Sequence, residues 1–283
     1  MSQTPETVLD PGLYIVATPI GNLADITLRA IQVLRAAGAV ACEDSRVTGR
    51  LLRHLGLKQR MIRYDDHASD ETRDYLLGLI AAQPIALVSD AGTPLISDPG
   101  YRLVRAARER GLTITSLPGP SAALAALTLS GLPTDRFLFA GFLPSRAKAR
   151  GDALAELANV PATLVLYESG PRLAATLRAI AGALPGRDVA VARELTKLHE
   201  ECRSGSAEAL AAHYTDHPPR GEIVVLIGPP RAASAALADA ELDALLLAEL
   251  ERAKPSQAAA RIARDHGLDR KALYARALEL REG

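Results

Sequence analysis

Ile85-Ala-Leu-Val-Ser-Asp-Ala-Gly-Thr-Pro-Leu-Ile-Ser-Asp-Pro-Gly100 is the stretch around which the chain is organised. Ile85 to Val88 is an apolar run with β-branched ends, the pattern of a short buried strand. The twelve residues from Ser89 to Gly100 hold two Asp, three Ser or Thr, two Pro and two Gly, and a helical pattern opens near Tyr101. Polar, flexible residues therefore follow the carboxyl end of a strand, where open α/β sheets bind ligands. Gly92 and Gly100 let backbone approach a ligand closely, and Pro94 and Pro99 stiffen the loop. The alternative is a long, well-capped strand-to-helix turn. Neither G-x-x-x-x-G-K-[ST] nor G-x-G-x-x-G occurs, so a site here binds something other than a P-loop nucleotide or a dinucleotide.

Working outward, the amino-terminal side alternates strand and helix. Residues 1 to 11 read as a loose terminus, followed by a strand from Gly12 to Thr18 that runs into Pro19-Ile-Gly-Asn-Leu-Ala-Asp25. Asp25 or Thr27 can cap a helix whose apolar face holds Ile26, Ala30, Val33 and Leu34. Ala39 to Ala41 is a second strand leading into Cys42-Glu-Asp-Ser-Arg46, where Glu43 and Asp44 either orient a ligand or cap a helix from Val47 to Leu55. Arg60 to Tyr64 is a third strand and Glu71 to Ala82 a helix; Asp65-Asp-His67 between them lacks the distant partners a metal site needs. This alternation predicts a parallel sheet covered on both faces.

Beyond the central loop, Tyr101 to Glu109 is a helix with Arg102, Arg105 and Arg108 on one side, a phosphate-facing or simply solvated surface. Leu112 to Ser116 is a strand, and Leu117-Pro-Gly-Pro-Ser121 a hinge whose Ser121 can cap the Ala-rich helix 122 to 129, its free N–H groups facing the crevice. A second domain with strands at Phe137–Phe142, Ala162–Tyr167, Asp188–Ala192 and Ile223–Ile227 has short connections, which favours a mixed or antiparallel sheet. Its helices read as 151 to 157, 173 to 181 and 206 to 213, with a basic connector Leu143-Pro-Ser-Arg-Ala-Lys-Ala-Arg150 before the first.

After a linker at 229 to 233 comes a leucine-rich acidic helix, 237 to 251. Ser256 is placed to cap 257 to 265, His266-Gly267 to turn the chain and Asp269 to cap 270 to 280, so this unit resembles a helix-turn-helix. Residues 254 to 283 hold seven Lys or Arg against four Asp or Glu, which suits either an RNA-docking module or a helical cap.

Composition narrows the classes. With 283 residues, 48% of them hydrophobic, the chain can bury two domain cores. Charges balance at 33 against 33, which argues against an architectural nucleic-acid binder while leaving room for a local patch. Cys42 and Cys202 make neither a disulfide framework nor a cysteine-rich zinc site, and Cys42 reads as core. No apolar run reaches 18 residues and the amino terminus lacks a signal pattern, so a reduced, cytoplasmic protein without a membrane segment is expected.

Six blocks in order resemble the ribosomal RNA small-subunit methyltransferase I family, in the tetrapyrrole-methylase class of S-adenosyl-L-methionine (AdoMet) enzymes. They are Val16–Leu23, Cys42–Arg46, Ser89–Gly100, Leu117–Ala122, Arg193–Glu200 and Gly221–Val224. The resemblance implies an α/β fold of two domains with the AdoMet cleft between them, plus a small C-terminal helical unit. The divisions expected are a parallel α/β domain over 1–118, a mixed-sheet α/β domain over 119–230 and a helix-turn-helix-like unit over 231–283. Two departures stand out. Pro171 occupies a place before Arg172 where the family usually carries His, and Thr93 stands where porphyrin methylases carry Asp. The second favours the ribosomal branch.

Residue roles follow from the same resemblance. Pro19 lies under the cofactor, while Ala91, Gly92, Thr93 and Ile96, with Ser121 and Ala122, hold its amino-acid part. Tyr167, Glu168, Leu195, Thr196, Gly221 and Glu222 line the adenosine side. The expected reaction is methyl transfer to the ribose 2′-hydroxyl of a cytidine in the decoding region of 16S rRNA, with the small ribosomal subunit as partner and a homodimer as the assembly. A weak nucleophile profits from proton removal, and Asp98, Glu43, Asp44 and Lys197 are the candidates for catalysis. Arg46, Arg146, Lys148, Arg150 and Lys271 are the candidates for holding RNA, and no metal is expected. Rival readings are methylation of a small molecule such as a tetrapyrrole precursor, and a noncatalytic RNA-binding protein, against which sparse aromatics and neutral charge argue.

Overall fold

The computed structural model describes residues 8–230, 239–266 and 269–282. The first sheet contains β1 (Gly12–Val16), β2 (Ala39–Cys42), β3 (Met61–Arg63), β4 (Pro84–Val88) and β5 (Ile114–Leu117). Its order is β3-β2-β4-β1-β5 with every neighbouring pair parallel. The strands are short and almost wholly apolar because helices cover both faces. On one face Tyr14, Val16, Val40, Ala86 and Val88 pack against Ala30, Val33 and Leu34 of α1 (Leu28–Ala36) and Leu52 of α2 (Ser45–His54). On the other, Leu13, Ala41, Ile85 and Leu87 meet Leu76, Leu77 and Ile80 of α3 (Asp70–Ala82) and Leu103 and Ala107 of α4 (Tyr101–Glu109). Truncating one of these side chains, Leu34→Ala for example, costs roughly 2–5 kcal/mol.

Local signals set the helix starts as expected at two positions. Thr27 caps α1, its Oγ1 accepting the Ala30 N–H at 3.0 Å, and Asp44 caps α2, its Oδ1 accepting the Arg46 N–H at 2.8 Å. The chain leaves β1 toward β2 on one side and leaves β4 toward β5 on the other. Adjacent β1 and β4 therefore mark the point where strand order reverses, and a crevice opens at their carboxyl ends.

The second sheet is mixed, as expected. Its strands are β6 (Phe137–Phe142), β7 (Thr163–Ser169), β8 (Asp188–Arg193), β9 (Glu201–Ser206) and β10 (Glu222–Ile227). The order is β6-β7-β10-β8-β9, with β6 and β7 parallel and the other pairs antiparallel. One face packs on α5 (Ala122–Leu129), through Ala123, Ala126 and Leu127 against Val165, Ala190, Val224 and Leu226. The other is covered by α6 (Ala147–Leu157), α7 (Gly170–Ala183) and α8 (Ala207–Asp216), around Leu154, Leu166, Leu177, Leu210 and Val225.

Several sequence expectations need correction. Glu201–Ser206, absent from the expected strands, is the edge strand β9; it is largely exposed, so its alternation carries no apolar signal, and pairing to β8 alone gives it order. The basic connector is half helical, because Ala147 to Arg150 form the first turn of α6. Ser121 stands at the N-cap of α5 but its hydroxyl makes no capping bond. Ser256 lies inside α10 (Pro255–His266), whose start is set by Pro255 at the first helical position and the Lys254 carbonyl, which accepts from Gln257 and Ala258.

α9 (Asp239–Leu250), α10 and α11 (Arg270–Glu282) build a separate small core from Leu246, Ala259, Ile262, Leu273 and Ala277. Asp269 caps α11 as expected, its Oδ1 accepting the Lys271 N–H at 2.8 Å. The expected start of α9 at Leu237, the linker residues 231 to 233, the turn at Gly267 and most of the expected loose terminus lie outside the described residues. Among the described residues no helix is long and apolar enough to cross a membrane.

Candidate active site

The crevice between the sheets holds a cavity of about 270 Å³. Its floor is the central loop. A two-way backbone bridge between Thr18 and Gly92, 2.8 and 2.9 Å, ties that loop to the end of β1. The Thr93 hydroxyl donates to the Pro120 carbonyl at 3.0 Å and so fastens the loop to the hinge before α5. Leu95 and Ser97 take positive φ, 75° and 63°, an unfavourable conformation for non-glycine residues that places strain beside the cavity.

The roof comes from the second sheet and the segment after β8. Period-two alternation in β7 sends Tyr167 toward the cavity and α5, and Glu168 toward α7. The buried Glu168 carboxylate takes a hydrogen bond from Thr176 Oγ1 at 2.6 Å and from the Ser169 N–H at 2.8 Å, and pairs with Arg172 at 3.2 Å. Its oxygens are thus engaged inside the protein, although the residue touches the cavity. Arg172 also donates to the Leu143 carbonyl, so the pair joins α7 to the end of β6, and Pro171 fits beside it in the first turn, where a missing N–H costs nothing.

Twelve of the expected site residues line this cavity: Glu43, Ala91, Thr93, Ile96, Asp98, Ser121, Ala122, Tyr167, Glu168, Leu195, Lys197 and Glu222. Four stand just behind the wall. Pro19 adjoins the lining residue Ile20, and Gly92 holds the Thr18 bridge. Gly221 sits against Glu194, since a Cβ there would lie 2.9 Å from Glu194 Oε1. Thr196 is a clasp between the two halves: its Oγ1 accepts the Asn22 N–H at 3.1 Å, and its own N–H donates to Glu200 Oε2 at 2.7 Å. Beneath that clasp a Cβ on Gly21 would fall 2.9 Å from the Leu195 carbonyl, which explains the glycine there.

Asp44 and Arg46 line a neighbouring open hollow of about 490 Å³, with Arg63, Asp65, Asp66 and His67; Glu43 and Asp90 belong to both spaces. Arg146 and Lys148 are exposed at the start of α6, and half-buried Arg150 lies one turn on. Lys271 is in the C-terminal unit beside Ser256, Asp269, Arg270 and Tyr274, apart from the cavity lining.

The cavity is also lined by residues outside the expected set: Ile20, Asp90, Ser97, Phe142 and Glu194, with Ile223 and Val224 of β10. Asp90 and Ser97 sit inside the central loop and Glu194 inside a matched block, so their neighbourhood is legible in the sequence though their side-chain directions are not. The Asp90 Oδ1 accepts the Asp44 N–H at 3.1 Å, linking the central loop to the start of α2. Lys197 Nζ pairs with Glu194 Oε1 at 3.1 Å.

Electrostatics separate the candidate acids. Burial pushes the Asp98 carboxyl up to about 6, the Ser89 hydroxyl offsets this in part, and Glu43, Asp90 and Glu222 add like-charge repulsion. Glu43 is raised too, by burial and then by Asp90, Asp66, Asp65 and Asp44. Asp44 goes the other way: the Arg46 guanidinium, at 2.6 Å, holds it down to about 2. Burial raises the Tyr167 phenol, an effect the backbone of Ala123 partly offsets. A carboxyl near 6 can exchange a proton at neutral pH, whereas one near 2 stays an ion. Among the described residues no cluster of His, Cys, Asp and Glu is placed to hold a metal ion.

Comparison with known proteins agrees with this architecture. Residues 12–211 match the family model for Tetrapyrrole (Corrin/Porphyrin) Methylases, and 236–281 match that for the RsmI C-terminal HTH domain. Among solved structures, the uroporphyrin-III-C-methyltransferase of Thermus thermophilus has a TM-score of 0.56 at 22% identity, covering 77% of this chain and 94% of that one. A diphthine synthase reaches 0.61 at 14% identity, covering 76% and 89%. These two share the fold. Much nearer in sequence is the ribosomal RNA small subunit methyltransferase I of Erythrobacter litoralis, 60% identical over 273 residues and 96% of each chain. The protein of that name from Escherichia coli O157:H7 is 48% identical over 273 residues and 94% of each chain. With both family models matched and identity maintained over nearly the full length, this chain belongs to the ribosomal RNA small subunit methyltransferase I family.

Proposed function

We infer that the chain is an AdoMet-dependent methyltransferase that acts on the ribose 2′-hydroxyl of a cytidine in the decoding region of 16S rRNA. Family membership over nearly the whole chain is the observation that carries this reading. The cavity suits the cofactor chemically. Asp98, Glu43, Asp90 and Glu222 bring carboxylates to a space that must receive a sulfonium and an ammonium, both cationic. When bound, AdoMet supplies a methyl group already activated on sulfur, and the protein's task is alignment.

In this reading Ala91, Thr93, Ile96, Ser121 and Ala122 hold the amino-acid part, and Tyr167, Leu195 and Glu222 the adenosine side, with Glu168 fixing the wall behind. Pro19, Gly92, Thr196 and Gly221 shape the cavity from behind its lining. Asp98 accepts the proton of the ribose hydroxyl. Its raised carboxyl suits that exchange better than the low Asp44, and Glu43 stands by as the second raised acid. Lys197, in the cavity lining, and Arg46, in the neighbouring hollow, meet phosphate, and Arg146, Lys148, Arg150 and Lys271 extend the contact along the RNA.

The divisions 1–118, 119–230 and 231–283 are supported by the sheets, which occupy 12–117 and 137–227, and by α5 packing on the second one. A cytoplasmic homodimer completes the reading; it rests on the family resemblance and, for the compartment, on two unpaired cysteines.

The test is incubation with methyl-labelled AdoMet and three separate acceptors: small ribosomal subunits, naked 16S rRNA and a tetrapyrrole precursor. Label in either RNA acceptor and none in the tetrapyrrole is the expected result. Label in the tetrapyrrole alone reverses the substrate assignment.

A further inference from the structure

The chain has no Trp and only three Phe, and all three lie in β6, at 137, 139 and 142. In a regular strand Phe139 and Phe142 would point to opposite faces, because their separation is odd. The pairing with β7 prevents that. Phe139 is level with Val165, Gly141 with Leu166 and Phe142 with Tyr167, so Ala140 is an extra residue, a bulge. Gly141 meets the bulge's demand with a φ of +64°, which a side chain would strain. The bulge turns Phe142 onto the face of Phe139, and both rings contact Tyr167 edge-on, with centroids 5.6 and 4.9 Å away.

The two rings differ in what they meet. Phe139 packs into the core beneath α5, whereas Phe142 lines the cavity and remains 55% exposed. Phe142 is thus a large aromatic held by its neighbour and left mostly bare at the mouth of an active site. The bulge also presses β6 onto the central loop, since a Cβ on Gly141 would stand 3.3 Å from Ser97 Oγ. Ser97 precedes Asp98, so the ring and the proposed base are carried by segments in direct contact. Downstream, the chain passes through Leu143 to exposed Arg146 and Lys148, four and six residues beyond the ring.

We propose that Phe142 is the platform on which the base of the acceptor nucleotide stacks once it is splayed out of the RNA. This rests on reading the chain as an rRNA ribose methyltransferase. A ribose hydroxyl flanked by stacked neighbours cannot enter a crevice between two sheets, so its nucleotide must leave the stack. Proteins hold such unstacked bases on aromatic faces, with basic groups on the adjoining backbone. An aromatic face accepts any base, so Phe142 positions the nucleotide and leaves the choice of cytosine to other contacts.

The experiment compares wild type with Phe142→Ala, Phe142→Leu and Phe142→Tyr in methyl transfer to small ribosomal subunits, alongside AdoMet binding by calorimetry. Phe142→Ala and Phe142→Leu should each raise KM for the subunit by roughly 5- to 100-fold, the worth of one base–aromatic stack. Phe142→Tyr should stay near wild type, and AdoMet Kd should move less than about twofold throughout. Leucine keeps the apolar bulk and loses the aromatic face, so a fully active Phe142→Leu overturns the proposal. Weakened AdoMet binding with an unchanged subunit KM also overturns it and assigns the ring to the cofactor. Wild-type protein that methylates no subunit at all defeats the functional reading itself, and is seen before any variant is compared.

Discussion

The backbone N–H of Asn22 donates to Thr196 Oγ1 at 3.1 Å, joining the loop after β1 to the loop after β8 behind the wall of the cavity. Thr196 is held for this at a φ of 64°, unusual for a β-branched residue. Thr196→Val keeps the shape and removes the acceptor. A single hydrogen bond nets about 0.5–1.5 kcal/mol, so AdoMet Kd should weaken by about twofold to tenfold. Thr196→Ser should restore it. Calorimetric titration of the three proteins decides the point, and a Thr196→Val protein that binds as wild type removes the clasp from the account.

The raised carboxyl of Asp98 sets a pH window. If Asp98 takes the proton it must be ionised; its carboxyl titrates at about 6 before the cationic cofactor binds and lower once it has, so the single-turnover rate should be level above about pH 6 and fall as pH drops below it. Stability runs the opposite way. The folded protein keeps a proton there that the unfolded chain, with the ordinary value of 3.8, has already lost, so stability contributed at low pH is lost as pH rises through about 6. Asp98→Asn should therefore slow transfer by roughly 100-fold or more while raising the melting temperature of cofactor-free protein at neutral pH. A variant that lost activity and melted lower would point to a structural role.

Breaking the Glu168–Arg172 pair should unsettle the fold more than the chemistry. Arg172→Ala leaves a carboxylate that is 1% exposed without its cation, and the expected loss is about 2 kcal/mol, given that the arginine is partly open to water. For a protein of this size that lowers the melting temperature by roughly 4–8 °C. Adding Glu168→Gln should recover part of the loss, which a double-mutant thermal series measures.

The basic start of α6 makes a salt-dependence prediction. Charge neutralisation at Arg146 and Lys148, both exposed, should raise KM for the subunit and leave AdoMet binding unchanged. The slope of log(kcat/KM) against log salt should become shallower by about 0.7–0.9 for each phosphate that the protein no longer neutralises. An unchanged slope would place the RNA elsewhere.

What can be read from sequence follows the strength of local signals. The strand Ile85–Val88 and the loop to Gly100 are legible because an apolar run is cut off by Gly, Pro and Asp, and because flanking strands and helices alternate cleanly. Edge strand β9 is not, since an exposed strand needs no apolar alternation. The bulge at Ala140 leaves one trace, an isolated glycine within a strand, and its consequence for Phe142 depends on a register that only the partner strand reveals. Tyr167 and Glu168 are expected together on the cofactor. As consecutive strand residues they face opposite sides, an inference the alternation rule permits once the strand is known. Asp98 and Asp44 look alike in the sequence; burial around one and Arg46 beside the other set them apart.

The central claim is most directly tested by locating the transferred methyl group. Small subunits treated with this protein and labelled AdoMet would be digested, first to oligonucleotides and then to nucleosides, and analysed by mass spectrometry. The account predicts 2′-O-methylcytidine at a single position in the decoding region. A methyl group on a base, or on riboses scattered along the RNA, would contradict it.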